Sequence, residues 1–572
     1  MSKQKKSGNT AKTVQEVKTA TGEKNTIGLQ SAVGPESARI NQRFGRITST
    51  LMTIYVLFYL CIFPLATHDK YFDILQFRFQ LYWIPTLIYG ILFLILGIFY
   101  LLSDKCRNGG ALTAKLKENL KWSTLRTKLT KTDICFIALI FIMTLSVLFA
   151  DYQYEALWGS RGRFNGLVLW LMFFIAYWLV TRFYHFKKWH LYAYLIAGCL
   201  PEIWGITDFF FLDLFHFHKG TDLQYFYTFV SSVGNINTYT NMVALHLGVS
   251  VAMFVLSKEN LEVLVSGISF FVASIAIVMG ISDNGLLAVA SVFAFLPFVS
   301  WTSCRNIISF FIALSMFLTS VIITSYLTVS QATMAKNTGS MFIMFGKTKA
   351  FLVLVIVLWI IVAILYWSLC ILKYEKENRL VRYARKIWAL LLTASMVGGV
   401  AVLADANIGN HPGFWKPYQN ILVFTDAWGN GRGIIWHFAW EFFTQKSNIL
   451  DKLIGNGPDT FYIITMDYFK KAMKAAGNTT YDSVHNEYME YLVTIGILGA
   501  IAYIGVLLTG LQQMFKKPKN NYAIACGIAV LAYATQAVIN IAIPITTPIL
   551  MMLLYVGISI VKEPADGKQK LT

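Results

Sequence analysis

From about Ile47 onward the chain is a succession of long apolar runs, and its polar residues are confined to the gaps between them. The runs beginning at Tyr82 (YWIPTLIYGILFLILGIFYLL) and Ala350 (AFLVLVIVLWIIVAILYWSLCIL) each reach the roughly 20 residues that a helix needs to cross a bilayer core. The pattern predicts about fourteen such segments, near 47–66, 82–102, 132–150, 165–183, 189–212, 237–256, 262–281, 284–300, 307–329, 350–372, 387–405, 487–511, 521–541 and 545–561. One interruption is much longer than the rest, the stretch of about 80 residues from 406 to 485. Long connections are functional or disordered, and this one is rich in Trp, Tyr and Phe, which argues for a folded loop.

The expected fold is therefore an all-α polytopic membrane protein with about 12–14 transmembrane helices and one large external loop carrying short helices. The expected divisions are a basic cytoplasmic tail over 1–46, without packed structure, and helices one to eleven over 47–405. The external loop over 406–485, helices twelve to fourteen over 486–561 and a second cytoplasmic tail over 562–572 complete the chain.

Composition agrees. The chain is 56% hydrophobic and only 14% charged, against roughly 25% charged residues in soluble domains. The first 46 residues are polar and basic with no apolar core, so no cleavable signal peptide is expected. The seven cysteines form no CxxC and no metal-ligand spacing, so neither a disulfide framework nor a zinc site is expected.

A net charge of +19 raises the question of nucleic acid, and its distribution answers it. With the N-terminus in the cytoplasm, most of the 49 Lys and Arg fall in the tails and connections on that side, as the positive-inside rule requires. The charge is a topology signal with some attraction to anionic membrane lipids, and no nucleic-acid partner is expected. This orientation puts 151–166, 213–236, 330–349 and 406–485 on the outer face, where arginines are few.

Four segments on that face carry candidate chemistry. In WGNGRGIIWHFAWEFF, three glycines precede Arg432, and Ile434, Ile435, Phe438, Ala439 and Phe442 then recur at helical spacing, with Trp436 and Trp440 one turn apart. This predicts an amphipathic helix lying at the membrane surface with Arg432 in its first turn. A cation there is disfavoured by the helix dipole unless an anion is shared with the free N–H groups; the alternative is an arginine reaching to lipid headgroups. In TTYDSVHNEYMEYLVTIGILG, Asp482 or Ser483 reads as the N-cap, which puts His485 in the first helical turn as a proton acceptor near neutral pH. Asn486 suits a sugar hydroxyl, and Glu487 and Glu490 follow a turn deeper; the alternative is an ordinary wet interface. In WGSRGRFNGL, Arg161 and Arg163 flank a glycine, and their planar forks match phosphate oxygens. In VGNINTYTNMVALHLG, Asn235, Asn237 and Asn241 open an apolar segment as sugar ligands or as helix caps, and His246 reads as an interhelical hydrogen-bonder.

The chain has no Walker lysine loop, no GxGxxG, no HExxH and no DxD. The cytoplasmic segments are too short to bind a nucleotide. An activated substrate must therefore come from the membrane or from outside, and outer arginines beside lipid suit a lipid-linked pyrophosphate.

Taken together, GRGIIWHFAW, IGNGPDTF and DSVHNEYMEYLVTIGILG, in that order, resemble the O-antigen ligase superfamily, which groups O-antigen ligases, O-antigen polymerases and protein O-oligosaccharyltransferases. GSRGRFNGL and GNINTYTNMVALHLG resemble its earlier segments, so the likeness covers roughly 150–510. It implies a helical membrane fold related to the GT-C glycosyltransferases, in the cytoplasmic membrane of a bacterium, with both termini inside. It implies an inverting, metal-independent transfer of glycan from an undecaprenyl-pyrophosphate carrier to a hydroxyl on a lipid-anchored, polymer or protein acceptor at the outer face, with no cofactor. Catalysis would fall to Arg432, holding pyrophosphate, and His485, contacting or deprotonating the acceptor. Arg161, Arg163, Asn486, Asp482, Glu487, Asn237 and Trp436 would bind substrate. The chain departs from the family pattern at ISDNGLLA, where Asp283-Asn284 stands in place of a Ser-Arg-Gly, so that one phosphate contact is either lost or moved to Arg163 or Lys347. Fourteen segments also exceed the dozen or so usual for ligases. Ligase and polymerase both fit, and a lipid-linked glycan flippase or a membrane scaffold remains as an alternative class.

Overall fold

The structure is a computed structural model that describes residues 35–562, except 161, 331–335, 337–339, 372–376, 410, 476, 478–479 and 517–519. The described residues are almost entirely helical; the one sheet among them is an antiparallel pair, Phe229–Val230 with Gly234–Asn235. Ten of these helices are long and apolar enough to cross a membrane, and Leu167–Phe183, Asn284–Ser300 and Thr547–Lys562 are shorter apolar helices. The remaining predicted segment is also a helix, Lys188–Phe209, which carries the buried Glu202. The chain is a multi-pass membrane protein of the all-α class.

Contacts divide the described residues into two compact units. The smaller is drawn from the chain up to Leu51 and from Tyr89–Leu129. Within it, the Asp104 carboxylate accepts the backbone N–H groups of Leu112 (3.2 Å) and Thr113 (2.8 Å), closing the start of the Ala111–Leu120 helix.

The larger unit contains Met52–Ile88 and the chain from Thr130 onward. Its centre is the Ile236–Leu256 helix, 94% buried over its most apolar window, packed by Asn260–Met279, Asn284–Ser300 and Asn521–Gln536. Thr547–Lys562 is buried from Thr547 to Ile560. Helices apolar on all sides pack in the interior, and the polar groups they carry pair with one another. His246 joins its helix to Lys188–Phe209 through Nδ1 to Glu202 Oε1 at 2.7 Å and Nε2 to the Leu195 carbonyl at 3.0 Å, the interhelical bonding expected of it.

The long loop is folded. After the helix that ends at Ile408, it forms the short helices Pro412–Trp415, Gln419–Leu422, Trp428–Glu441, Ile449–Ile454, Phe461–Tyr468 and Lys470–Ala475. It has its own apolar core, in which Ile435, Phe438, Ala439 and Phe442 meet Phe461, Ile464, Phe469, Met473, Val484 and Val493. The apolar stripe of Trp428–Glu441, expected to face the membrane surface, packs into that core.

The expected continuous helix 487–511 is in fact two, Glu487–Thr494 and Gly496–Phe515. The break receives the IGNG turn. A Cβ on Gly455, which has φ +78°, would lie 2.1 Å from the Thr494 carbonyl oxygen, so only glycine allows the turn to dock there. The Gly457 N–H donates to Ser146 Oγ at 2.9 Å, and Ser146 Oγ donates to the Thr494 carbonyl at 3.3 Å.

Candidate active site

Three successive left-handed residues, Gly429, Asn430 and Gly431, kink the start of the Trp428–Glu441 helix, and regular helix begins at Arg432. The kink folds the chain back on itself: Ile434 N–H donates to the Asp426 carbonyl at 3.1 Å. Arg432 Nη1 donates to the Gly429 carbonyl at 3.3 Å, while its Nε is buried and finds no partner among the described residues. Burial lowers the pKa of this guanidinium below its ordinary value. One helical turn on, Trp436 Nε1 donates to the Val484 carbonyl at 3.1 Å, tying this helix to the residue that precedes His485. The Trp436 ring lies 5.1 Å from that of Trp428.

The sequence predicts His485 in the first helical turn, and the structure puts it before the helix. The N-cap is Asn486, whose side-chain oxygen accepts the N–H groups of Tyr488 and Met489, both at 3.1 Å. An asparagine at this position satisfies two of the helix's orphan donors, so neither Asp482 nor Ser483 caps the helix. His485 stands just before the cap with φ +53°, a left-handed conformation uncommon outside glycine. Its neighbour Val484 is held from both sides, by Trp436 at the carbonyl and by Glu490 Oε2, which accepts the Val484 N–H at 2.7 Å.

The His485 imidazole is half-buried, and its pKa falls to about 4, first through burial and then through the positive charges of Arg432 and Arg163, against an opposing pull from Asp482. The ring is therefore neutral at pH 7. The depression comes first from burial and then from the two guanidinium groups.

Arg163 arrives from a third, distant segment. Its Nη2 pairs with Asp482 Oδ1 at 3.1 Å, and its Nε has no partner among the described residues. The turn that carries it is fastened by Asp459, whose Oδ2 accepts the N–H groups of Ser160 (3.2 Å) and Asn165 (3.1 Å). The Phe164 ring stacks on Phe79 with centroids 5.0 Å apart. Arg161 lies outside the described residues.

Arg163, Arg432, Asp482, Asn486 and His485, together with Trp436, are thus brought into one neighbourhood from segments about 50 and 270 residues apart in sequence. Two other expected residues are engaged elsewhere. Asn237 accepts the Ser282 hydroxyl at 2.6 Å, and its carbonyl accepts Asn540 Nδ2 at 3.3 Å. Glu487 is buried between the hydroxyls of Tyr503 and Tyr533, where it serves helix packing. In the ISDNG turn, Asp283 accepts the Met341 N–H at 3.0 Å, and Lys347 is exposed. Asp459 was missed in the sequence, although it stands in the quoted motif IGNGPDTF; an acidic residue directly after a glycine-rich turn was the available signal.

The arrangement offers two cations, a neutral imidazole and sugar-compatible polar groups at the edge of the loop. Among the described residues, the clusters with metal-ligand geometry are Cys199, Glu202 and His246, and Asp208, Asp213 and His218. Neither shares a residue with this site.

Residues 338–504 match the O-antigen ligase family, a stretch that contains Arg432, Trp436, Asp459, Asp482 and His485. No curated protein matches the chain. The resemblance to the O-antigen ligase superfamily therefore holds over this stretch, and the match supports an O-antigen ligase-like or polymerase-like membrane glycosyltransferase.

Proposed function

We propose that the protein transfers a glycan from an undecaprenyl-pyrophosphate carrier to an acceptor hydroxyl at the outer face of a bacterial cytoplasmic membrane, with both chain termini inside. The observation that carries this reading is the gathering of Arg163, Arg432 and His485 around one half-buried neighbourhood, with the histidine held neutral.

The chemistry follows from that set. The acceptor oxygen attacks the anomeric carbon, forming the new glycosidic bond as the bond from that carbon to the phosphate oxygen breaks. The hydroxyl proton passes to the free ring nitrogen of His485, and the bonding electron pair leaves with the lipid pyrophosphate. Arg432 and Arg163 hold the departing charge through their unpaired N–H groups. In-line attack inverts the anomeric centre. Proton transfer and charge stabilisation both come from side chains, so no step calls for a metal or a cofactor. Asn486 and Trp436 stand beside His485 to frame the sugar or acceptor, and Asp482 orients Arg163.

The test is reconstitution in lipid bilayers with a lipid-pyrophosphate-linked glycan and candidate acceptors. Loss of a charge-assisted contact is worth about 1.5–3 kcal/mol, and a lysine cannot reproduce the fork, so Arg432→Lys is expected to lose at least about tenfold in transfer. His485→Ala is expected to lose about 10²–10⁴-fold while still inserting. Transfer at the wild-type rate by either variant would sink the assignment. Product length separates single transfer, the ligase outcome, from polymerisation.

A further inference from the structure

We infer that Asp459 is a positioning residue, a buried clamp that fixes the Ser160–Asn165 turn and thereby the direction in which Arg163 points. The inference rests on the reading of Arg163 as a donor-binding arginine.

Three hydrogen bonds run from this one residue to that turn. Asp459 Oδ2 accepts the backbone N–H of Ser160 on one side of Arg163 and that of Asn165 on the other, and the Asp459 carbonyl accepts the Ser160 hydroxyl. The turn is closed internally by the Arg163 N–H donating to the Ser160 carbonyl at 3.0 Å. A single carboxylate oxygen thus brackets the arginine in sequence and in space. Asp459 is itself only 7% exposed, so it is walled off from a glycan or a lipid headgroup and acts through the turn.

The local geometry is built around this contact. Gly159 has φ +103°, and a Cβ there would lie 2.7 Å from Asp459 Oδ2 and from the Asn165 nitrogen. Asp459 adopts φ +63°, an uncommon conformation for a residue with a side chain. Strain of that kind persists only where surrounding contacts over-determine it, and here those contacts are the clamp.

The charged groups facing this carboxyl are Arg163 and Asp482, and Asp459 in turn acts on the neighbouring Glu490. Burial pushes the Asp459 carboxyl up to about 7. A proton added at Oδ1 leaves Oδ2 free to accept both N–H groups, so the clamp works in either protonation state. Asparagine reproduces it, with its oxygen in the place of Oδ2. That separates a positioning carboxyl from one needed for its charge or its proton.

The experiment compares Asp459→Asn and Asp459→Ala, in the full-length protein reconstituted in bilayers, by two readouts. Hydrogen exchange of the backbone amides at 160–166 reads the clamp alone. It is expected to accelerate at least tenfold in Asp459→Ala and to stay at the wild-type level in Asp459→Asn. Transfer kinetics read the consequence: Asp459→Ala is expected to raise KM for the lipid-pyrophosphate glycan at least tenfold, Asp459→Asn to stay within about threefold of wild type, and Asp459→Ala to add nothing in an Arg163→Ala background. Unchanged exchange in Asp459→Ala overturns the clamp. Accelerated exchange with unchanged KM leaves the clamp standing and overturns the donor-binding reading of Arg163. A folded Asp459→Asn with tenfold loss of transfer overturns the positioning role in favour of a charged or proton-carrying one. If Asp459→Ala does not insert, Asp459→Gly, which removes the carboxylate and accommodates the φ of +63°, takes its place in the exchange measurement, and protection there equal to wild type overturns the clamp.

Discussion

Gly433→Ala inverts an ordinary expectation. Gly433 lies in the regular part of the Trp428–Glu441 helix, where alanine is favoured over glycine by about 0.8–1 kcal/mol. On propensity alone the substitution stabilises. The structure predicts the opposite sign, because a Cβ at 433 would sit 1.9 Å from the Thr425 carbonyl oxygen and 2.9 Å from its carbon. Both are backbone atoms, and no side-chain rotation relieves the clash. The 425–427 strand of chain must retreat by about 1.5 Å to reach an ordinary van der Waals separation near 3.5 Å. That retreat breaks the bond from Ile434 N–H to the Asp426 carbonyl, a loss of about 0.5–1.5 kcal/mol, and it moves the seat of Arg432. A displacement of about 1 Å at a positioned group costs about 10²-fold in rate. Glycan transfer by reconstituted Gly433→Ala should therefore fall by roughly that factor, with a lowered thermal midpoint in detergent. A variant that is more stable than wild type and transfers at its rate would refute the close approach at Thr425 and the kinked seat built on it.

Two further outcomes follow from the same geometry. His485 has a folded pKa of about 4, below the value near 6.5 of the unfolded chain, so the unfolded state binds more protons between those values. The resulting stability is fully present above about pH 6.5 and is lost as the pH falls toward 4, by about 3 kcal/mol in all; thermal unfolding of wild type should therefore be more acid-sensitive over pH 7 to 4.5 than that of His485→Gln, and equal sensitivity would contradict a buried neutral ring. Trp436→Phe keeps an aromatic ring but deletes the 3.1 Å bond to the Val484 carbonyl, which is expected to cost about 1 kcal/mol and to slow transfer through a looser His485; identical unfolding midpoints and rates would argue that the helix and the His485 segment are held together by other contacts.

How much was legible in the sequence depended on how local the cause was. Apolar runs of bilayer length report helices directly, because a backbone in hydrocarbon must satisfy its own hydrogen bonds, and the predicted segments are helical. The folded loop was legible from its aromatic content, and Arg432 at the start of a regular helix from the glycines before it. The N-cap was misread because Asp482, Ser483 and Asn486 are all competent caps; Arg163, more than 300 residues away, claims Asp482, and Asn486 is the one that stands directly before the first helical residue. Glu487 stood among the expected substrate-binding residues, yet Tyr503 and Tyr533 turn it into the helix packing.

By itself, then, the sequence determined which segments are helical, where the large loop lies, and which residue types could serve phosphate and proton chemistry. These are properties of runs and of near neighbours. Only the tertiary structure decided that Arg163, Arg432 and His485 share one neighbourhood, that Asp459 holds the first of them in place, and that burial between two guanidinium groups keeps the imidazole neutral. A pKa and a pairing depend on distance through space, and the distance between residues 163 and 485 is written only in the folded chain.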